Sequence, residues 1–109
     1  MRVLSASADP ALRHSRELLL RSQGYEVATS LSKAHAKDLI QSRPFDLLVF
    51  GNSLTRNACL ELAKDFRNQN PQGKIVEILF ARWESPMNDP DATAVGPEEL
   101  LAAIHALFQ

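Results

Sequence analysis

An α/β fold, with a parallel sheet covered by helices on both faces, is predicted by three features of this sequence. Apolar strand-like runs alternate with amphipathic helical stretches from end to end. The stretch Leu47-Leu48-Val49-Phe50 is continuously apolar, as suits a strand buried on both faces. The connections are short and hold no repeat, low-complexity run or linker, which leaves right-handed β–α–β crossovers as the expected way to join the strands.

The elements follow in order. A first strand covers about Arg2–Ala6. Asp9 then precedes Pro10, a helix N-cap followed by proline at the first helical position. The first helix should turn Ala11, Leu12, Ser15, Leu18 and Leu19 inward, and Gly24 supplies a left-handed end. Tyr25–Ala28 reads as the second strand. Ser30 or Ser32 caps a second helix with Ala36, Leu39 and Ile40 inward, ended by Pro44. Asp46–Phe50 forms the third strand. Ser53 or Thr55 caps a third helix whose stripe is Cys59, Leu62, Ala63 and Phe66, closed by Asn70-Pro71-Gln72-Gly73. Lys74–Phe80 is the fourth strand and Ala92–Val95 a weaker fifth. Gly96-Pro97-Glu98-Glu99 opens the last helix, with proline at its start and two acids at the positive end of its dipole. Its stripe is Leu100, Leu101, Ile104, Leu107 and Phe108. The segment 82–91 joins two strands, but Pro86 and Pro90 leave little room for a helix in it.

Composition narrows the function classes. At 109 residues and 45% apolar, residues 1–109 are expected to form one domain with a core of its own. Twelve basic against 13 acidic residues give a net charge of −1, with no one-sign block to favour nucleic acid or an anionic membrane. A single cysteine rules out an internal disulfide and suits a reducing cytoplasm. Asp9, Pro10, Arg13 and Arg16 interrupt any apolar N-terminal run, which argues against a signal peptide, and no stretch approaches the ~20 apolar residues of a membrane span.

Four pieces carry a family resemblance: Asp9-Pro10-Ala11-Leu12-Arg13, Gly24-Tyr25-Glu26-Val27, Pro44-Phe45-Asp46-Leu47-Leu48-Val49 and Pro97-Glu98-Glu99-Leu100-Leu101. In this order and spacing they resemble the receiver domain of bacterial response regulators over nearly the whole chain. The resemblance implies a flavodoxin-like (CheY-like), three-layer α/β/α fold. It has a five-stranded parallel sheet of order 2-1-3-4-5, with a ligand site at the carboxyl ends of strands one and three.

The same resemblance implies a phosphoryl-transfer site, and the matching positions here are emptied of it. The acidic pair that holds magnesium falls on Ser7 and Ala8, with Asp9 in the third, capping place. Magnesium takes hard oxygen ligands and usually one or two carboxylates. The phospho-acceptor aspartate falls on Gly51, which has no side chain. Asp46 cannot replace it, since a strand of roughly 17 Å separates the two. The hydroxyl residue that senses the phosphoryl group matches Phe80, and the lysine before the proline is missing where Val95 runs into Gly96-Pro97. No magnesium or other cofactor is therefore expected, and the chain reads as a pseudo-receiver. The span 80–96 is also shorter than the family's by about two helical turns, so the family's fourth helix should be absent or reduced to a turn.

Other residues have ordinary explanations beside the sharper ones. Ser7, Asp9, Asn52 and Ser53 could line a polar cleft, or simply cap helices. Arg82, Trp83 and Met87 form a candidate interaction loop, since these residue types are enriched in interface cores. Alternatively, Trp83 folds back over the surface left bare by the absent helix. Cys59 reads as a core residue, and His14, His35 and His105 lie on separate helices without ligand spacing. Arg13, Arg16, Glu17 and Arg21 read as a solvated helix face that could meet an acidic partner. The leading expectation is a cytoplasmic, non-enzymatic signalling module of a two-component (phosphorelay) pathway. It would act through a protein partner, either a signalling protein or a second copy, without phosphorylation. The alternative is a receiver-like domain sensing a small molecule at the strand-end crevice. A small α/β enzyme lacks any nucleophile–base pair or phosphate-cradling loop.

Overall fold

The computed structural model describes residues 1–51, 53–86 and 89–109. The chain runs β1 (Arg2–Ala6), α1 (Pro10–Ser22), β2 (Glu26–Ser30), α2 (Lys33–Ser42), β3 (Leu47–Gly51), α3 (Arg56–Gln69), β4 (Lys74–Ile78), β5 (Ala92–Ala94) and α4 (Gly96–Leu107). All strand pairs are parallel, and the sheet order is β2-β1-β3-β4-β5. This is the flavodoxin-like order implied by the resemblance.

Strand periodicity divides the core into two layers. Leu4, Ala6, Leu48, Phe50 and Ile75 face α2 and α3, where Ala36, Ile40, Cys59, Leu62 and Phe66 meet them. Val3, Leu47, Val49, Val76 and Ile78 face the other way, toward Leu20 of α1 and Leu100 and Ile104 of α4. Every residue of β3 is buried, as its unbroken apolar run requires.

Local chemistry sets the element ends. Asp9 Oδ1 accepts from Ala11 N at 2.9 Å and from Leu12 N at 3.2 Å, which satisfies two orphan donors of α1. Gly24 takes φ +83°, a left-handed conformation open to glycine, and ends the same helix. Ser32 caps α2 through His35 N. Thr55, not Ser53, caps α3 through Ala58 N. The strands shift slightly from their sequence limits. β2 extends to Ser30 because Ser30 pairs with Ala6. β4 stops at Ile78 because its neighbours end at Gly51 and Ala94. Asp9→Ala should cost about 1 kcal/mol in urea unfolding while Asp9→Asn, which keeps the capping oxygen, should be near neutral. An equal loss in both would assign the effect to charge rather than to the cap.

Two expectations about side chains are corrected. The inward face of α1 is centred on Leu12, Arg16, Leu19 and Leu20, while Leu18 is 56% exposed. The buried stripe is phased about one residue away from the apolar pattern, because an arginine stands at its centre. Arg13 and Arg16 are accordingly half-buried and do not belong to a solvated face; Glu17 and Arg21 do pair, at 2.9 Å. Trp83 does not fold back over the sheet but is 89% exposed. The cause is a tight turn, in which Glu84 N donates to Ala81 O at 3.1 Å and Phe80 N to Glu84 Oε2 at 3.0 Å, leaving residues 82 and 83 at its apex.

No helix joins β4 to β5 among the described residues, in keeping with the short span and its prolines. The return path is held by polar contacts instead. Leu79 N donates to Ala94 O, Arg67 of α3 reaches Asp89 O, and Asp91 exchanges two hydrogen bonds with Ile75 at 2.7 and 2.9 Å.

Candidate functional site at the strand ends

The carboxyl ends of β1 and β3 meet at the point where strand order reverses, with Ser7, Ala8 and Asp9 on one loop and Gly51 and Ser53 on the other. Ser7 is fully buried and its hydroxyl is engaged on several sides. It lies 3.0 Å from Ser53 Oγ, 3.3 Å from Asp9 O and accepts from Asp9 N at 3.2 Å. Ser53 Oγ also accepts from Ala8 N at 3.2 Å. Ser53, a candidate helix cap by sequence, works instead as a stitch between the two loops. Asn52 lies outside the described residues.

Gly51 ends β3 with no side chain, and the space beside it is not empty. A Cβ built there would sit 3.1 Å from Ile78 O and 3.6 Å from Arg16 Nη2. The arginine at the centre of α1's inward face therefore extends its guanidinium over the glycine, as a long side chain does when its charged end seeks the rim. Arg16 Nη1 is buried and lacks a hydrogen-bond partner among the described residues. Burial pulls the guanidinium's pKa below its ordinary value, and the negative charge of Asp9 opposes that pull. Sequence reasoning misses Arg16 as a site residue. The available signal is its spacing, four residues after Leu12 and four before Leu20, which puts a charge on a buried stripe.

The donor set does not suit magnesium. Of the three positions expected to hold it, one is a hydroxyl already hydrogen-bonded, one is alanine, and Asp9 Oδ1 is committed to two backbone amides. A guanidinium lies beside Gly51, where the resemblance implies an acceptor. Among the described residues no three His, Cys, Asp or Glu side chains converge to hold a metal ion.

The remaining candidates are scattered. Asp46 sits at the opposite, amino-terminal end of the strands, where its Oδ2 accepts from Arg2 N at 2.8 Å. Cys59 is buried in the α3 layer, and burial together with the charge of Glu77 pushes its thiol up to about 11, far from nucleophilic use. His14, His35 and His105 are all exposed on separate helices. Phe80 follows β4 and is 74% exposed, so with Trp83 it forms an aromatic pair of open side chains on one loop. Arg82 ion-pairs with Glu99 of α4, whose carboxyl is held below its usual range first by Val95 N–H and further by Arg82. Met87 lies outside the described residues.

No family model matches the sequence, and no curated protein matches it. Solved structures do. The response regulator TrrA from Thermotoga maritima, in complex with Mg²⁺ and BeF, superposes with a TM-score of 0.81 at 21% identity, covering 97% of both chains. A receiver domain protein from Methanospirillum hungatei gives 0.82 at 24% identity over 98% of this chain and 93% of its own. The chemotaxis response regulator CheY4 of Vibrio cholerae gives 0.81 at 21%, covering 97% of both. Likeness at this level of identity establishes the receiver fold.

Proposed function

We propose that this chain is a receiver-like signalling module of two-component type that binds a protein partner without phosphorylation and without magnesium. The carrying observation is the strand-end site itself. A fold shared with TrrA, which takes Mg²⁺ and BeF, has at the matching positions a neutral Ser7–Ser53 hydrogen bond, Ala8 and Gly51, with Arg16 overhead. Phosphoryl transfer rests on positioning and charge neutralisation by metal and counter-ions. Here a positive group stands where a nucleophilic acid would be, and the cation has no carboxylate pair.

Binding in place of switching draws support from the loop 79–86. It is braced at Ala94 and at Glu99, yet presents Phe80 and Trp83 to solvent. Large aromatic side chains held open on a fixed turn suit an interface core. One of the solved relatives in fold is TrrA in complex with the histidine kinase ThkA, which supports a protein as the partner class. Among the described residues, no helix is long and apolar enough to cross a membrane.

The test is direct. Titration with magnesium and beryllofluoride, followed by amide NMR, should give no saturable shift. A small acyl-phosphate donor should leave the intact mass unchanged. A stoichiometric acyl phosphate, or saturable beryllofluoride binding, defeats the proposal.

A further inference from the structure

On the sheet face opposite α2 and α3, helices α1 and α4 leave a cavity of about 320 Å³ between them. Its apolar wall is Leu12, Leu19, Ile78 and Leu100, and the polar side chains on it are Ser15 and Arg16. Its volume lies at the lower end of the range for small-ligand sites, and such sites are typically apolar with a few convergent polar groups.

The Arg16 side chain, which lines the cavity, gives it a chemical preference. A guanidinium is always protonated, so this is a positive charge on an apolar wall. Its neighbour Asp9 offsets part of the charge, but Asp9 Oδ1 is engaged by the first turn of α1. We propose that this cavity binds a small monoanionic carboxylate with an apolar body, the carboxylate on Arg16 and the body among Leu12, Leu19, Ile78 and Leu100.

Each part of that choice follows from the lining. The planar guanidinium fork matches a carboxylate in plane. A phosphoryl group would bring up to two charges and three acceptor oxygens, whereas among the described residues Ser15 is the only side chain besides Arg16 on this wall that can donate. A cation is repelled by Arg16, and a neutral apolar molecule would leave the guanidinium without a counter-charge. The cavity shares Arg16 with the strand-end site but lies between two helices and uses neither Ser7 nor Ser53, so carboxylate binding and phosphorylation are tested by separate readouts.

The experiment is a methyl-NMR titration of the intact chain with hexanoate and phenylacetate. Hexanamide and phenylacetamide serve as neutral copies, and inorganic phosphate as a bare anion. Saturable shifts at Leu12, Leu19, Ile78 and Leu100 are expected for the carboxylates, with affinity roughly ten- to a hundredfold weaker for the amides, because a charge-assisted hydrogen bond is lost. Arg16→Met should weaken carboxylate binding by a similar factor while removing a desolvated charge. Leu12→Phe, at a half-buried position, should block the cavity with Arg16 intact and circular dichroism unchanged. No saturation by about 10 mM carboxylate, equal binding of acid and amide, or phosphate binding as well as hexanoate would each overturn the proposal. So would saturable carboxylate binding that survives both substitutions.

Discussion

Truncating Phe66 to alanine is expected to destabilise the protein by about 3–5 kcal/mol in urea unfolding followed by circular dichroism. Phe66 is fully buried in the α3 layer. Its ring also lies directly under the turn that follows α3, where a Cβ added to Gly73 would come within 2.6 Å of two ring carbons. Glycine at 73 is thus required by contact with Phe66, not by an unusual φ. Gly73→Ala should cost about 1–3 kcal/mol through that overlap. Asn70 fixes the same corner, accepting from Phe45 N at 3.0 Å and donating to Phe66 O at 3.3 Å. Because the two sites share one contact, Phe66→Leu should reduce the cost of Gly73→Ala. Strict additivity in the double mutant would show that the turn relaxes away from the ring and would sink this account.

Gly51→Asp is expected to leave the protein unphosphorylated by a small acyl-phosphate donor with magnesium, although it supplies a carboxylate at the position where the family resemblance implies an acceptor. The added Cβ would lie 3.6 Å from Arg16 Nη2, so the new carboxylate would pair with the guanidinium instead of a cation. The close approach to Ile78 O, at 3.1 Å, requires a small movement of the strand end. Beside an arginine, an aspartate's pKa falls below its ordinary ~3.9. A depressed folded pKa contributes stability above the unfolded value and loses it as pH falls through the folded value. Each tenfold gain in acidity is worth about 1.4 kcal/mol. The variant should therefore lose its added stability relative to the parent as pH falls below about 4. Adding Arg16→Met should erase that difference. A pH dependence indifferent to residue 16, or an acyl phosphate on the single variant, would contradict the placement of Arg16.

The sheet is readable from sequence because its signals are local and redundant. Proline after Asp9, the unbroken apolar β3 and the glycine at 24 each act within a few residues, and the structure honours all three. The lack of a crossover helix among the described residues is also legible, since Pro86, Pro90 and a short span oppose one. Arg16 is not legible. Its role depends on a glycine on another strand making room, a contact between distant residues that helical spacing alone cannot reveal. Trp83 misleads for a related reason. Its size argues for burial, but the hydrogen bonds of Glu84 and Ala81 fix a turn that faces away from the sheet. Local preference makes Ser53 a cap, whereas its partners, Ser7 and Ala8, lie on the far loop.

The sequence has a single tryptophan, and at 89% exposure it already stands in water in the folded protein. Its emission should therefore sit at long wavelength in native and denatured protein alike, so that fluorescence barely registers unfolding. The same indole becomes a label-free reporter of docking, since only a surface closing over the turn can move its spectrum to the blue.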